Sequence, residues 1–62
     1  MNRIGIAIAG ATGRMGRTLV EAVLNADDMR LAAAFDLPEN PSIDRDAGEL
    51  LGLATGVAIG GD

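Results

Sequence analysis

Apolar residues form two short strand-like runs in this chain, with a helical stretch between them. The first run, Arg3 to Ala9, reads RIGIAIA and alternates isoleucine with glycine and alanine. Both of its faces are apolar, which is typical of a parallel strand covered on each side. The second run, Met29 to Phe35, reads MRLAAAF. Alanine favours helices, but the length of this run and its place after a helix predict a strand.

The residues between the two runs have the periodicity of an amphipathic helix, which we expect to extend from Gly13 to Ala26. Asn25, Asp27 and Asp28 are turn-favouring residues that end it. A strand, a crossover helix and a second parallel strand form one right-handed unit. The residues that the helical spacing predicts to be buried are Met15, Leu19, Val20, Val23, Leu24 and Ala26.

One short helical turn is predicted after an irregular loop. The loop, residues 37–45, contains both prolines of the chain and mostly polar neighbours. Asp46 to Leu51 then reads DAGELL, which predicts a turn capped by the Asp46 side chain, with Glu49 in the capping-box position. We expect Leu50 and Leu51 to face inward.

A third strand is predicted at Val57 to Ile59. Gly60, Gly61 and Asp62 follow it and resemble the start of a further helix. The pattern as a whole is that of an α/β protein.

The glycine-rich segment Gly10 to Gly16, GATGRMG, joins the first strand to the helix. Such a turn gathers free backbone N–H groups at the positive end of a helix, which is the environment that a pyrophosphate needs. Asp36 lies 20 residues beyond Gly16, the spacing at which an acid binds the adenosine ribose. These features predict a parallel-sheet, Rossmann-type βαβ half of a truncated doubly wound fold.

The three glycines of this segment have different expected roles. Gly10 makes the tight turn, Gly13 lets the backbone approach the pyrophosphate, and Gly16 permits close packing of helix and strand. The alternative is that the glycines only shape a turn and that Asp36 is a solvated strand end. The predicted cofactor-binding residues are Gly10, Ala11, Thr12, Gly13, Arg14, Met15, Gly16 and Asp36.

Three side chains near the glycines could serve the ligand or the fold. Arg14 lies in the first helical turn, where a cation is unfavourable unless it meets an anion such as a phosphate. The alternative for Arg14 is an exposed side chain, and exposure is the expectation for Arg17. Met15 is a possible contact for a nicotinamide or adenine ring, but its register with Leu19 and Val23 favours the core.

Composition excludes several kinds of chemistry and partner. The chain has no His, Cys, Lys, Tyr or Trp, so it offers no thiol nucleophile, no imidazole base and no amine for a Schiff base, and we expect neither catalytic residues nor a metal site. A net charge of −4 disfavours nucleic acid as a partner. No apolar run is long enough to cross a membrane and no secretory signal is evident, so we expect a cytoplasmic protein that binds a small molecule.

At 62 residues, the chain is one small domain at most. A domain of this size buries only about 60% of its unfolded surface, and neither disulfides nor zinc support this one. We therefore expect a part of a larger protein.

Three segments resemble the amino-terminal part of the dihydrodipicolinate reductase family. They are GATGRMGR from Gly10, AAAFD from Ala32 and DAGELLG from Asp46, and the similarity extends over nearly all of the chain. The resemblance implies an enzyme of lysine and diaminopimelate biosynthesis that reduces a cyclic dicarboxylate with NADH or NADPH and is usually a homotetramer. It also implies that Gly10 to Gly16 binds the pyrophosphate, that Arg14 lies near the adenosine phosphates and that Asp36 binds the ribose.

This chain departs from the family pattern in two respects. Family members that use NADPH often have a basic residue after the acid, whereas this chain has Leu37, so NADH is favoured. The catalytic His-His pair and the substrate-binding lysine of the family belong to a later substrate domain and have no counterpart here, so we expect these residues alone to be inactive. In the doubly wound strand order, the edge of the first strand, Ile4 to Ala9, would also be unpaired, which predicts that these residues either self-associate through that edge or occur only alongside the rest of their protein.

Two other functions remain open at the level of sequence. One is a non-catalytic nucleotide-sensing module of the atypical short-chain dehydrogenase type, which also has a GATGxxG segment. The other is a different amino-acid pathway dehydrogenase with a GATG loop, which would have a catalytic cysteine downstream.

Overall fold

A three-stranded parallel sheet with one helix packed against it forms the fold. The computed structural model describes residues 3–61. The strands are β1 (Ile4–Ala9), β2 (Met29–Phe35) and β3 (Ile59–Gly60), and the helix α1 (Arg14–Asn25) connects the first two. The strand order is β1-β2-β3, and both strand pairs are parallel. This is the βαβ arrangement of a Rossmann-type half, which confirms the predicted fold class.

The sheet contains an irregularity that the sequence does not reveal. Ile6 pairs with Leu31, but the next residue, Ala7, pairs with Ala33, so Ala32 is an extra residue in β2. Such a bulge interrupts the alternation of side chains between the two faces. Leu31 and Ala34, three positions apart, are consequently both buried.

Helix α1 is one residue shorter at each end than predicted, and it has a different buried face. Its buried residues are Gly16, Val20 and Val23. The prediction of a buried stripe through Met15 and Leu19 is wrong, because these side chains are 77% and 47% exposed. The difference arises at Gly16, where the absence of a side chain lets the helix lie directly on the backbone after β1. Val20 and Val23, which follow Gly16 by four and seven residues, lie on the same side of the helix and therefore face the sheet, whereas Leu19 does not.

The prediction that Leu24 is buried is also wrong, since this residue is 37% exposed. Ala26, by contrast, is partly buried. The core consists of small and branched residues from both strands, the helix and the C-terminal segment. Its buried members are Ile8, Ala11, Val20, Val23, Leu31, Ala34, Ala47 and Ile59.

The segment after β2 differs most from the predictions. A 3₁₀ turn, Glu49–Leu51, is present, but its N-cap is Gly48 and no side chain within residues 3–61 caps it. The capping box is wrong because the Glu49 carboxylate instead accepts a hydrogen bond from exposed Arg45, at 2.6 Å. Leu50 is 57% exposed, so its inward orientation is wrong too, whereas Leu51 is partly buried and packs against the core.

Asp46 organises this segment in a way that differs from helix capping. Its carboxylate accepts hydrogen bonds from the N–H groups of Gly48, Thr55 and Gly56, at 2.8–3.1 Å, and from the Thr55 hydroxyl at 2.8 Å. These four donors lower the pKa of Asp46 from 3.8 to about 2. The side chain therefore closes the loop between the 3₁₀ turn and the last strand.

The third strand begins later than the sequence predicts. Val57 and Ala58 do not pair with β2, because they lie against the preceding segment, where the Ala47 N–H bonds to the Val57 carbonyl and Ala58 forms a bridge with Asp46. Only Ile59–Gly60 joins the sheet. Gly60 is thus part of a strand rather than the start of a helix, while Asp62 lies outside the described residues.

The other edge of the sheet is open among the described residues, since β1 pairs with β2 alone. This agrees with the predicted unpaired edge.

No helix within residues 3–61 has the length and apolar character needed to span a membrane.

Candidate functional site

The glycine-rich turn leaves β1 at the carboxyl end of the sheet. Gly10 has a φ of 68°, a conformation that residues with a side chain rarely adopt. The next residue, Ala11, is buried, and its N–H donates to the Phe35 carbonyl at 3.0 Å. This bond attaches the turn to the end of β2. The turn is then closed by the Gly13 N–H, which donates to the Gly10 carbonyl at 3.1 Å.

Gly16 holds the helix against this turn. A Cβ at this position would clash with the Gly10 carbonyl oxygen and lie 2.7 Å from the Ala11 Cα. Both contacts are with backbone, which has little room to move. At Gly13, by contrast, the nearest atom to an added Cβ would be 3.5 Å away, an ordinary contact.

The N-terminus of α1 is uncapped. Gly13 is the N-cap residue, no side chain in the described part of the chain accepts a hydrogen bond from the helix end, and the first turn contains no acid. The N–H groups of Arg14, Met15 and Gly16 belong to this first turn, where no carbonyl within the helix is available to them. An uncapped helix end is a positive site that suits an anion.

Asp36 lies directly beside the glycine-rich turn. Its Oδ2 accepts hydrogen bonds from the Thr12 N–H, at 3.0 Å, and from the Thr12 hydroxyl, at 2.7 Å. Its Oδ1 accepts from the Leu37 N–H at 2.8 Å. The Thr12 hydroxyl, followed by the backbone donors of Thr12 and Leu37, lowers the pKa of Asp36. The end of β2 therefore presents a fixed carboxylate, and not a freely solvated one.

Arg14 and Arg17 project from the first turns of α1 but are not equivalent. Arg14 is exposed, whereas Arg17 is partly buried, so its predicted exposure is wrong. The buried Arg17 Nε has no hydrogen-bond partner among residues 3–61. Both arginines line an open cleft of about 310 Å³ that also borders Glu21 and Leu51. Two cations therefore flank the positive helix end, and no described acid of the first turn neutralises them.

Comparison with known proteins places the chain in a family. Residues 4–62 match the family model described as dihydrodipicolinate reductase, N-terminus. The chain belongs to this family. Among its relatives, the 4-hydroxy-tetrahydrodipicolinate reductase of Nitrosomonas europaea is 52% identical over the whole chain, and that of Cupriavidus necator is 58% identical over 95% of it. The Burkholderia pseudomallei protein of the same name is 55% identical over the whole chain.

The chain spans only 22–23% of the length of these reductase relatives. The match therefore covers the amino-terminal part of the dihydrodipicolinate reductase family, the part that contains the glycine-rich turn and Asp36. Residues 3–61 contain no group of three or more acids that could hold a metal ion.

A second cleft, of about 220 Å³, lies where β1 and β2 end. It is lined by Ala9, Gly10, Phe35, Asp36, Leu37 and Pro38. In this member of the reductase family, the structure thus brings the predicted turn, the helix end and Asp36 together at one edge of the sheet. Met15, which is exposed and not in the core, lies on the same first turn of α1, and its predicted contact with a ring of the ligand stays a prediction.

Sequence reasoning missed Asn40. Its Nδ2 donates to the Thr12 hydroxyl oxygen at 3.0 Å, and its Oδ1 accepts from the Ser42 N–H at 2.8 Å. The second bond is an Asx-type turn, which the Asn-Pro-Ser segment could have indicated. The first joins residues 28 positions apart, and no local pattern predicts it.

Proposed function

We propose that this chain is the dinucleotide-binding part of a 4-hydroxy-tetrahydrodipicolinate reductase and that it binds NADH in preference to NADPH. One observation carries the proposal: an ionised carboxylate, Asp36, lies beside a glycine-rich turn at an uncapped helix end. This combination matches both halves of an adenosine diphosphate, with N–H donors for the phosphates and an acceptor for the ribose hydroxyls.

The residues fit the dinucleotide in specific ways. The N–H groups of Arg14, Met15 and Gly16 would donate to the pyrophosphate, and space beside Gly13 would let the phosphates approach the backbone. Asp36, in the cleft where β1 and β2 end, would accept hydrogen bonds from the ribose hydroxyls. Bound NADH or NADPH supplies a hydride, which in the proposed parent enzyme of lysine and diaminopimelate biosynthesis reduces the substrate.

The preference for NADH rests on charge. NADPH places a phosphate on the ribose 2′-oxygen, and an ionised Asp36 would repel it. The next residue, Leu37, is apolar and exposed, so it offers the extra phosphate no compensating cation. Arg14 could offset part of the repulsion, which limits the expected discrimination.

Titration of the full-length protein with NADH and NADPH, by calorimetry, tests the proposal. Asp36→Ala should weaken NADH binding by about 10- to 100-fold, the range for a hydrogen bond to a charged group. NADPH binding should weaken less, because the same change removes a repulsion. Because its pKa is lowered, Asp36 should stay ionised at a lower pH than an ordinary aspartate does. The affinity for NADH should therefore fall only when the pH is low enough to protonate Asp36.

Asp27→Ala is the matched control, since Asp27 is exposed in the turn after α1, at the opposite end of the sheet. NADH affinity that is the same in the Asp36 variant as in the unchanged protein would contradict the assigned role of Asp36. Assembly as a homo-oligomer, which the family resemblance implies, belongs to the same proposal and is tested by sedimentation of the full-length protein.

A further inference from the structure

A chain of hydrogen bonds runs from the loop after β2 to the carboxylate of Asp36. The Ser42 N–H donates to Asn40 Oδ1, Asn40 Nδ2 donates to Thr12 Oγ1, and Thr12 Oγ1 donates to Asp36 Oδ2. The three distances lie between 2.7 and 3.0 Å. Ser42 and Asn40, in the loop after β2, are thus connected to Thr12 in the glycine-rich turn.

The chemistry of the groups fixes the direction of this chain. An amide side chain has one accepting and one donating end, and its oxygen is committed to Ser42, so Asn40 must donate to Thr12. The Thr12 hydroxyl has a single hydrogen. Because its oxygen accepts from Asn40, that hydrogen is directed to Asp36.

The same bonds decide which oxygen of Asp36 can serve a ligand. A carboxylate has about four acceptor positions, two on each oxygen. Both Thr12 donors occupy Oδ2, whereas within residues 3–61 the hydrogen bond to Oδ1 comes from the Leu37 N–H. Oδ1 therefore retains capacity for a further donor, and Asp36 borders the cleft at the ends of β1 and β2.

We infer that Thr12 is a positioning residue, which through its hydroxyl fixes the Asp36 carboxylate as an acceptor and thereby sets the preference for a ribose with a free 2′-hydroxyl over one with a 2′-phosphate. This inference rests on the proposed dinucleotide function. The two Thr12 donors on Oδ2 fix the orientation of the ionised carboxylate, which accepts from a hydroxyl and repels a phosphate. A carboxylate that is free to rotate discriminates less, even though it is also ionised at neutral pH.

The decisive variant is Thr12→Val, which has the same shape and keeps the backbone donor but lacks the hydroxyl. Thr55→Val is a closely matched control, because Thr55 makes the same pair of bonds to another carboxylate, Asp46, at 3.0 and 2.8 Å. Thr12→Ser restores a hydroxyl. Asn40→Ala keeps Thr12 but removes the group that orients it.

The readouts are the ratio of the NADPH and NADH dissociation constants and the pKa of Asp36 from the NMR titration of its carboxyl carbon, both in the full-length protein. Thr12→Val should shrink the ratio by about three- to tenfold, the effect of one hydrogen bond, and should raise the pKa of Asp36 towards its ordinary value. Asn40→Ala should act in the same direction but less strongly, and Thr12→Ser should restore both values. Thr55→Val should lower the thermal unfolding midpoint without changing the ratio.

An unchanged ratio or an unchanged Asp36 pKa in Thr12→Val would overturn the inference while leaving dinucleotide binding intact. An equal shift of the ratio in Thr55→Val would also overturn it, since the effect would then be one of general stability. If the unchanged protein bound neither NADH nor NADPH, the proposed function itself would fail, a result that is distinct from the first two.

Discussion

Gly16 and Gly13, three residues apart in one turn, are under different constraints. A side chain at Gly16 would meet the backbone of Gly10 and Ala11, whereas a side chain at Gly13 would meet only one atom, at 3.5 Å. Gly13 also has a φ of −74°, which any residue can adopt. Gly16 is therefore required by the fold, whereas Gly13 is not, and its proposed role is to let a pyrophosphate approach the backbone.

We expect Gly16→Ala to lower the free energy of unfolding by about 3 kcal/mol or more, because the new methyl group overpacks against backbone. Gly13→Ala should change it by no more than about 1 kcal/mol but should weaken NADH binding. Urea denaturation and calorimetric titration of both variants measure the two effects. Equal loss of stability in the two variants would show that the helix does not lie where the structure places it.

At the scale of elements, the sequence predicts those helices and strands whose bounds depend on residues close to one another in the chain. Strand β2 and helix α1 agree with the sequence to within one residue at each end, since both are defined by continuous apolar runs and by flanking turn residues. The buried face of α1 could not be derived in the same way, because it depends on how closely Gly16 approaches a different segment. The glycine-rich turn and Asp36 were likewise recognisable from spacing, whereas the bond from Asn40 to Thr12 depends on the folded loop.

The hydrogen bonds of Asp46 within the segment from Asp46 to Gly56 also depend on the folded loop, and they lead to a prediction about pH. Asp46 has a folded-state pKa of about 2, below its ordinary value of 3.8. A carboxylate with a lowered pKa stabilises the folded state above its unfolded-state pKa, and this contribution is lost as the pH falls through the folded-state value. The thermal unfolding midpoint should therefore fall between about pH 4 and about pH 2.

Circular dichroism of the unchanged protein and of Asp46→Asn measures this effect. The variant should be less stable at neutral pH and should lose less stability on acidification, because it has no carboxylate to protonate at this position. Asp27→Asn, in an exposed turn, provides the control. An Asp46→Asn variant with the same acid sensitivity as the unchanged protein would contradict the structural role of Asp46.

At the scale of the whole molecule, the open edge of β1 is the main feature. Among the residues that the structure describes, strand β1 pairs with β2 only, and Gly5, Ala7 and Ala9 on it are exposed. An edge of this kind presents backbone groups that another strand can pair with. Ile4 on this strand and Met15 in the first turn of α1 are also exposed and add apolar surface.

A peptide of these 62 residues should therefore self-associate in a concentration-dependent way in sedimentation velocity. Ala7→Lys, which places a charge on the exposed side of the edge strand, should shift the peptide towards the monomer. A folded monomer at the highest concentrations, already without the substitution, would refute this prediction.

The extra residue in β2 has a consequence for how this family member can change its length. Without Ala32, Leu31 would still pair with Ile6 and Ala33 with Ala7, because Ala32 has no partner of its own in β1. Phe35 would therefore stay opposite Ala9, and the Asp36 carboxylate would keep Thr12 as its partner. This strand can thus lose one residue at its middle without moving the residues at its carboxyl end.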